Sequence, residues 1–128
     1  MRKLLLLLPA LALASCSGGH DLMSNKPFRV ECADEGKEVG NVLLIHPDLP
    51  QATVLMPGSK VMPEVTYDLA VRSPVRFELQ RTYPSGLKHV ISISRETGQI
   101  SYGEVDEVTG FRDVNPAPES TKCTFETL

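Results

Sequence analysis

From Phe28 to Phe125 apolar residues recur at every second position. Turn residues interrupt them at a spacing of roughly 8–12 residues, the rhythm of short antiparallel strands. A period of two sends successive side chains to opposite faces of an extended chain, whereas a helical stripe needs a period of 3.6. Phe28, Val30 and Cys32 share one face of a first strand. Val42–Ile45 and Thr53–Met56 are continuous apolar runs, as in strands covered on both faces. Val65, Tyr67, Leu69 and Val71 alternate with Thr66, Asp68, Ala70 and Arg72. Pro74 interrupts, because it lacks the N–H a ladder needs. Val75, Phe77 and Leu79 then alternate with Arg76, Glu78 and Gln80. His89, Ile91 and Ile93 share a face, Ile100 and Tyr102 open a return strand, and Cys123 and Phe125 lie on one face of the last. Pro57-Gly58-Ser59, Pro84-Ser85-Gly86 and Arg95-Glu96-Thr97-Gly98 mark turns, with Gly98 placed to take positive φ. Asp34–Gly40 admits one helical turn, and Asp113–Ser120 reads as an irregular crossing. The expectation is an all-β domain over residues 28–128, a small antiparallel sandwich or barrel of about seven to nine strands closed by one disulfide.

The N-terminus obeys other rules. Met1-Arg2-Lys3 is followed by an apolar run of 11 residues, Leu4–Ala14, and then Ser15-Cys16. A charged start, an apolar middle and small residues before a cut describe an export signal. The run is too short for a bilayer, which takes roughly 20 helical residues, and Pro9 lies inside it. Ala12-Leu13-Ala14 also offers an ordinary secretory cut. Leu13-Ala14-Ser15-Cys16 resembles the lipobox of bacterial lipoproteins. That resemblance implies a signal peptide over 1–15, cleavage before Cys16, lipid (palmitate among its chains) on Cys16, and a tether to a membrane. With Ser17 rather than Asp after the cysteine, it implies the outer membrane, facing the periplasm. Residues 16–27, beginning Cys16-Ser17-Gly18-Gly19, read as the lipidated cysteine and a flexible linker, reaching roughly 35 Å when extended.

Without residues 1–15 the chain has 113 residues, enough for one domain. Removing Arg2 and Lys3 leaves 11 basic against 16 acidic side chains, a balance of about −5. This disfavours nucleic acid or an anionic lipid surface as a main partner. If Cys16 carries lipid, Cys32 and Cys123 remain, at the two ends of the patterned region and in an oxidising compartment. A structural disulfide is the favoured reading. Metal ligation and a catalytic thiol are the alternatives, and neither has a C-x-x-C or a histidine at ligand spacing to recommend it.

No catalytic residue, metal or cofactor is assigned. His20, His46 and His89 lie in no H-x-H, H-x-x-H or H-E-x-x-H pattern, and G-x-S-x-G is missing. His89, on a face with Ile91 and Ile93, reads as a partly buried, hydrogen-bonded residue. Glu104, Asp106, Glu107 and Asp113 around Gly110 suit a calcium ion or, more simply, a solvated hairpin tip. Arg72, Arg76, Arg81 and Lys88 form either a cationic strip for an anionic partner or an ordinary polar sheet face.

One further resemblance concerns function. Phe28-Arg29-Val30-Glu31-Cys32, a strand ending in cysteine, together with Cys123 near the C-terminus and Ala52–Gly58 between them, resembles the lipoprotein inhibitors of c-type lysozyme. In that family a loop opens Ser-Gly and ends in Tyr; the nearest match here is Ser73-Pro74-Val75-Arg76-Phe77. Pro74 stands for the glycine and Phe77 for the tyrosine. The resemblance implies a β-barrel and makes Ser73 a candidate binding residue, to which the exposed Arg76 is added. The expected function is a lipid-anchored envelope protein whose β domain binds another envelope component, a protein partner above all, without catalysis. The alternatives are inhibition of a hydrolase such as c-type lysozyme, and a small enzyme.

Overall fold

A computed structural model describes residues 20–34 and 40–128. They form nine strands: β1 (Phe28–Asp34), β2 (Asn41–Ile45), β3 (Gln51–Leu55), β4 (Glu64–Arg72), β5 (Arg76–Thr82), β6 (Leu87–Ser94), β7 (Ile100–Asp106), β8 (Phe111–Pro116) and β9 (Thr121–Thr127). They make one sheet in the order β8-β7-β6-β5-β4-β3-β2-β1-β9, and every pair is antiparallel. Eight strands run up and down in chain order. The ninth returns across the molecule to pair with the first. Cys32 and Cys123 face each other in that last pairing and are joined by a disulfide.

Twist curls the sheet into a half-barrel. Its concave side holds the alternating residues that the sequence marks: Phe28, Val30, Leu43, Ile45, Val54, Val65, Tyr67, Leu69, Phe77, Leu79, Ile91, Ile93 and Ile100 are all buried in one cluster. The ends of the sheet approach at the β6–β7 turn. There Gly98 takes φ 76°, a left-handed conformation that glycine adopts without strain, beside Phe125 and Leu22.

In an up-and-down meander the connections alternate between two ends. The β1–β2, β3–β4, β5–β6 and β7–β8 connections share one end, called here the far end. The entry into β1, the close of β9 and the remaining turns, β2–β3, β4–β5 and β6–β7, share the near end.

Four local expectations are corrected. First, the register of β4 against β5 shifts between Leu69 and Val71. This bulge puts Val71 opposite Glu78 and Arg72 opposite Phe77, so the alternation written from Val65 to Val71 breaks at Ala70. Second, Val75 is half exposed in the β4–β5 turn rather than in the core. Third, Glu78, placed by alternation on a polar face, is 3% exposed. Its carboxylate accepts from Gln80 Nε2 at 2.9 Å and Arg112 Nη2 at 3.4 Å, with Arg76 Nε at 3.9 Å. Gly103 explains how Arg112 comes within reach: an added Cβ there would lie 1.8 Å from the Asp113 carbonyl oxygen, so only glycine allows β8 its close approach. Fourth, the crossing expected from Asp113 shortens, because β8 continues to Pro116. The expected helical turn over Asp34–Gly40 falls mostly outside the described residues.

Candidate functional site

The two ends of the half-barrel differ in chemistry. At the near end the residues before β1, expected to be free linker, lie against the domain. His20 N–H donates to Phe125 C=O at 3.1 Å, and the His20 ring stacks on Phe28 with centroids 4.6 Å apart. Its Nδ1 lies 2.8 Å from Thr127 Oγ1. Leu22 packs against the core, and Leu128 N–H donates to Pro27 C=O. The folded part therefore includes residues 20–27 and does not start at Phe28.

Arg95 holds this arrangement. Its guanidinium donates to the carbonyl oxygens of Leu22 (2.8 Å), Ser73 (2.9 Å) and Met23 (3.1 Å), and lies 4.5 Å over the Phe77 ring. The residue is 9% exposed. A buried cation persists only when its donors are satisfied, and Arg95 has backbone acceptors on two segments plus an aromatic face. Sequence reasoning assigned Arg95 to a turn. The signal was present, however: Ile91, Ile93 and Arg95 continue one period of two into the core face.

Ser73 and Arg76, the candidates from sequence, sit beside this near end. The Ser73 hydroxyl accepts from Val75 N–H (3.2 Å) and Arg76 N–H (3.1 Å). It also lies 3.3 Å from the Arg76 carbonyl, so it closes its own turn. Arg76 is exposed and turned toward Glu78. The other members of the basic group do not form a strip with it. Arg72 donates to the Pro47 carbonyl, Lys88 Nζ pairs with Glu107 at 2.7 Å, and Arg81 lies opposite His89. Arg76 and Lys88 belong to one face of the sheet, and Arg81 to the other. In the acidic stretch Asp106 Oδ1 accepts from Val108 N–H at 2.9 Å, the pattern of a capped hairpin tip.

The far end holds a cavity of about 490 Å³. Val54, Met56, Ile91 and Tyr102 supply apolar walls, with Tyr67, His89, Asn41 and Thr121 as polar ones. No Asp, Glu, Lys or Arg lines it among the described residues. Tyr67 is 4% exposed and its hydroxyl is hydrogen-bonded to His89 Nδ1. The Tyr83 ring stacks on the imidazole from the β5–β6 turn, at 6.5 Å between centroids. Burial pushes Tyr67 up to about 12. Burial also lowers His89 below its usual 6.5, against the opposite pull of Glu104. Both groups are therefore neutral over the physiological range. Tyr67 O–H and His89 Nδ1 share one hydrogen bond, and its direction follows the imidazole tautomer.

These shifts set a pH window for stability. A histidine lowered by folding contributes stability that is full above its unfolded value of 6.5 and is lost as pH falls through its folded value. His20, lowered by burial, acts in the same direction. A tyrosine raised by folding contributes stability that is full below 10.0 and is lost as pH rises toward 12. The melting temperature should plateau between about pH 6.5 and 10 and fall on both sides. In Tyr67→Phe the alkaline decline should shrink; an unchanged alkaline limb would show that Tyr67 is not the group responsible.

No family model matches the chain, and no curated protein or solved structure resembles it significantly.

Proposed function

We propose that the chain is a lipid-anchored protein of the cell envelope whose β domain binds another envelope component through its far end, without catalysis. The observation that carries this reading is the polarity of the half-barrel. The segment leading back to Cys16 is fixed at the near end by Arg95 and His20. The cavity lined by Tyr67 and His89 lies at the opposite end. With lipid on Cys16, only Ser17–Gly19 would separate the anchor from docked residues, a reach of roughly 10 Å rather than roughly 35 Å. The domain then stands close to the membrane on its near end and presents the far end outward. Exposed apolar side chains on the far-end turns, Val61 and Met62 after β3 and Val108 after β7, suit a partner there.

Inhibition of c-type lysozyme through Ser73 has less support. The Ser73 hydroxyl is engaged within its own turn, and the turn lies at the near end, beside the tether.

Two measurements test the reading together. Cys16→Ser should move the protein from the membrane fraction to the soluble fraction or leave it as uncleaved precursor without lipid label. The purified lipoprotein in detergent should leave c-type lysozyme turnover unchanged. Palmitate label retained by the Cys16→Ser protein would remove the anchor, and stoichiometric inhibition would replace the proposed function by the alternative.

A further inference from the structure

We propose that the near end is a membrane-seating surface: Met23, Leu49 and Val75 enter the headgroup layer of the leaflet that holds the Cys16 lipid, while Arg72 and Asp48 take the phosphate and the ammonium of a zwitterionic phospholipid. This rests on the reading of Cys16 as the anchor, and names the surface that the domain turns to its own membrane.

Three observations select the lipid surface. The first is the point where the tether meets the domain. His20 is docked at the near end through its N–H to Phe125 C=O. Ser17–Gly19 reach roughly 10 Å when extended, and a headgroup layer is roughly 5–8 Å deep. With the Cys16 acyl chains in hydrocarbon, the near end is held against the headgroups, and the far end lies a strand length farther out.

The second is apolar exposure at that end. Met23, Leu49 and Val75 are 55%, 50% and 50% exposed. They come from three segments outside the strands: the run before β1 and the β2–β3 and β4–β5 turns. These segments meet around one depression of about 460 Å³. Met23 lines it, and Leu49 and Val75 directly follow the lining residues Asp48 and Pro74. Apolar side chains at such a rim leave water when they enter the headgroup and acyl boundary.

The third is the charge inside the rim. Arg72 and Arg95 both line the depression, and neither forms an ion pair with a carboxylate among the described residues. Arg95 is buried on backbone carbonyls. Arg72 is exposed, and one Nη1 bond to the Pro47 carbonyl holds its fork in place. Its other donors suit phosphate oxygens. Asp48, exposed in the same lining, suits an ammonium group. Elsewhere on the near-end segments exposed Lys26 and Arg76 are met by exposed Asp21 and Glu96. This end therefore carries both signs and does not call for anionic lipid, in keeping with the negative balance of the chain. A zwitterionic headgroup matches it with a phosphate and an ammonium in one molecule.

The test places the unmodified lipoprotein in nanodiscs of phosphatidylethanolamine and phosphatidylcholine that carry a few gadolinium-chelating headgroups, and reads amide relaxation. The amides of Met23, Leu49 and Val75 should relax at least fivefold faster than those of Val61 and Val108 at the far end. Replacing all three apolar residues by serine should bring that ratio below twofold, with far-end amide shifts unchanged as the control for folding. Arg72→Gln should lower the ratio at least twofold, and Arg72→Lys should keep most of it. The mass of the N-terminal peptide shows whether Cys16 carries lipid, which separates the two readings. Lipidated Cys16 with equal relaxation at both ends would overturn the seating and leave the anchor. The same result with a protein cross-linked from Leu49 in cells would give the near end to a protein partner instead. Cys16 without lipid would remove the anchor. Near-end relaxation on adding phosphatidylethanolamine vesicles to that chain would then retain the seating surface, and its absence would overturn it.

Discussion

Reduction of the Cys32–Cys123 disulfide is expected to lower the melting temperature by roughly 20–30 °C. The two cysteines are 91 residues apart, so the bond closes almost the whole domain into a loop. In the chain-entropy account a loop of this size removes about 4–5 kcal/mol of freedom from the unfolded chain. A domain of about 100 residues loses roughly 4–8 °C per kcal/mol. Topology adds to the effect. β9 is the one strand placed by a crossing rather than by a hairpin, and the disulfide fixes its register on β1. Cys123→Ala should therefore also release the amides of β9 to rapid hydrogen exchange before those of β3–β6. A melting temperature within a few degrees of the oxidised protein would show that packing of Phe125 and its neighbours holds β9 unaided.

Phe77→Ala is expected to cost about 4–5 kcal/mol, the upper part of the range for a buried phenylalanine. Phe77 is fully buried, lies 5.7 Å from Phe28 between ring centroids, and is the platform beneath Arg95. Truncation thus leaves a cavity and a nearly buried guanidinium without its aromatic face. Arg95→Met should cost about 2–4 kcal/mol, because hydrogen bonds from a charged donor contribute roughly 1.5–3 kcal/mol and are not additive. It should also free residues 20–27, seen as lost protection at the amides of His20 and Leu128. Arg95→Lys should recover only part, since one ammonium cannot serve carbonyls on two segments in the plane of a fork. The double variant should show a coupling of about 1–2 kcal/mol from chemical denaturation. Additive losses would mean that Arg95 and Phe77 act independently and that the near end is not held by their contact.

The sequence made the β-rich fold legible through its simplest signal. Alternation identified the concave face, and Cys32 with Cys123 stood where the first and last strands meet. What it did not show follows from features that act between elements. A one-residue bulge at Ala70 reverses the faces of Val71 and Arg72, and nothing local announces it. Glu78 is covered because Gly103 admits β8, a contact with residues 34 positions away along the chain. Residues 20–27 carry few apolar side chains, so they read as linker; their order comes from carbonyl oxygens meeting Arg95, which composition cannot express. Ser73 was singled out by resemblance and Arg76 by its exposed place in the basic group, and in the structure both serve the β4–β5 turn and its neighbour Glu78. His89 was read as a partly buried, hydrogen-bonded residue. That is its state, but its partner Tyr67 lies 22 positions earlier, and only the curl of the sheet brings the pair to one cavity.

The central claim is that the far end of a tethered half-barrel is its binding end. It is tested most directly by a photo-reactive residue placed in living cells at Tyr83, on the far end, and separately at Leu49, an exposed residue of the near-end β2–β3 turn. A discrete cross-link to one envelope component from Tyr83, lost in His89→Phe and absent from Leu49, is the predicted result. The same cross-link from Leu49 but not from Tyr83 would contradict the account and turn the domain's working face toward its tether.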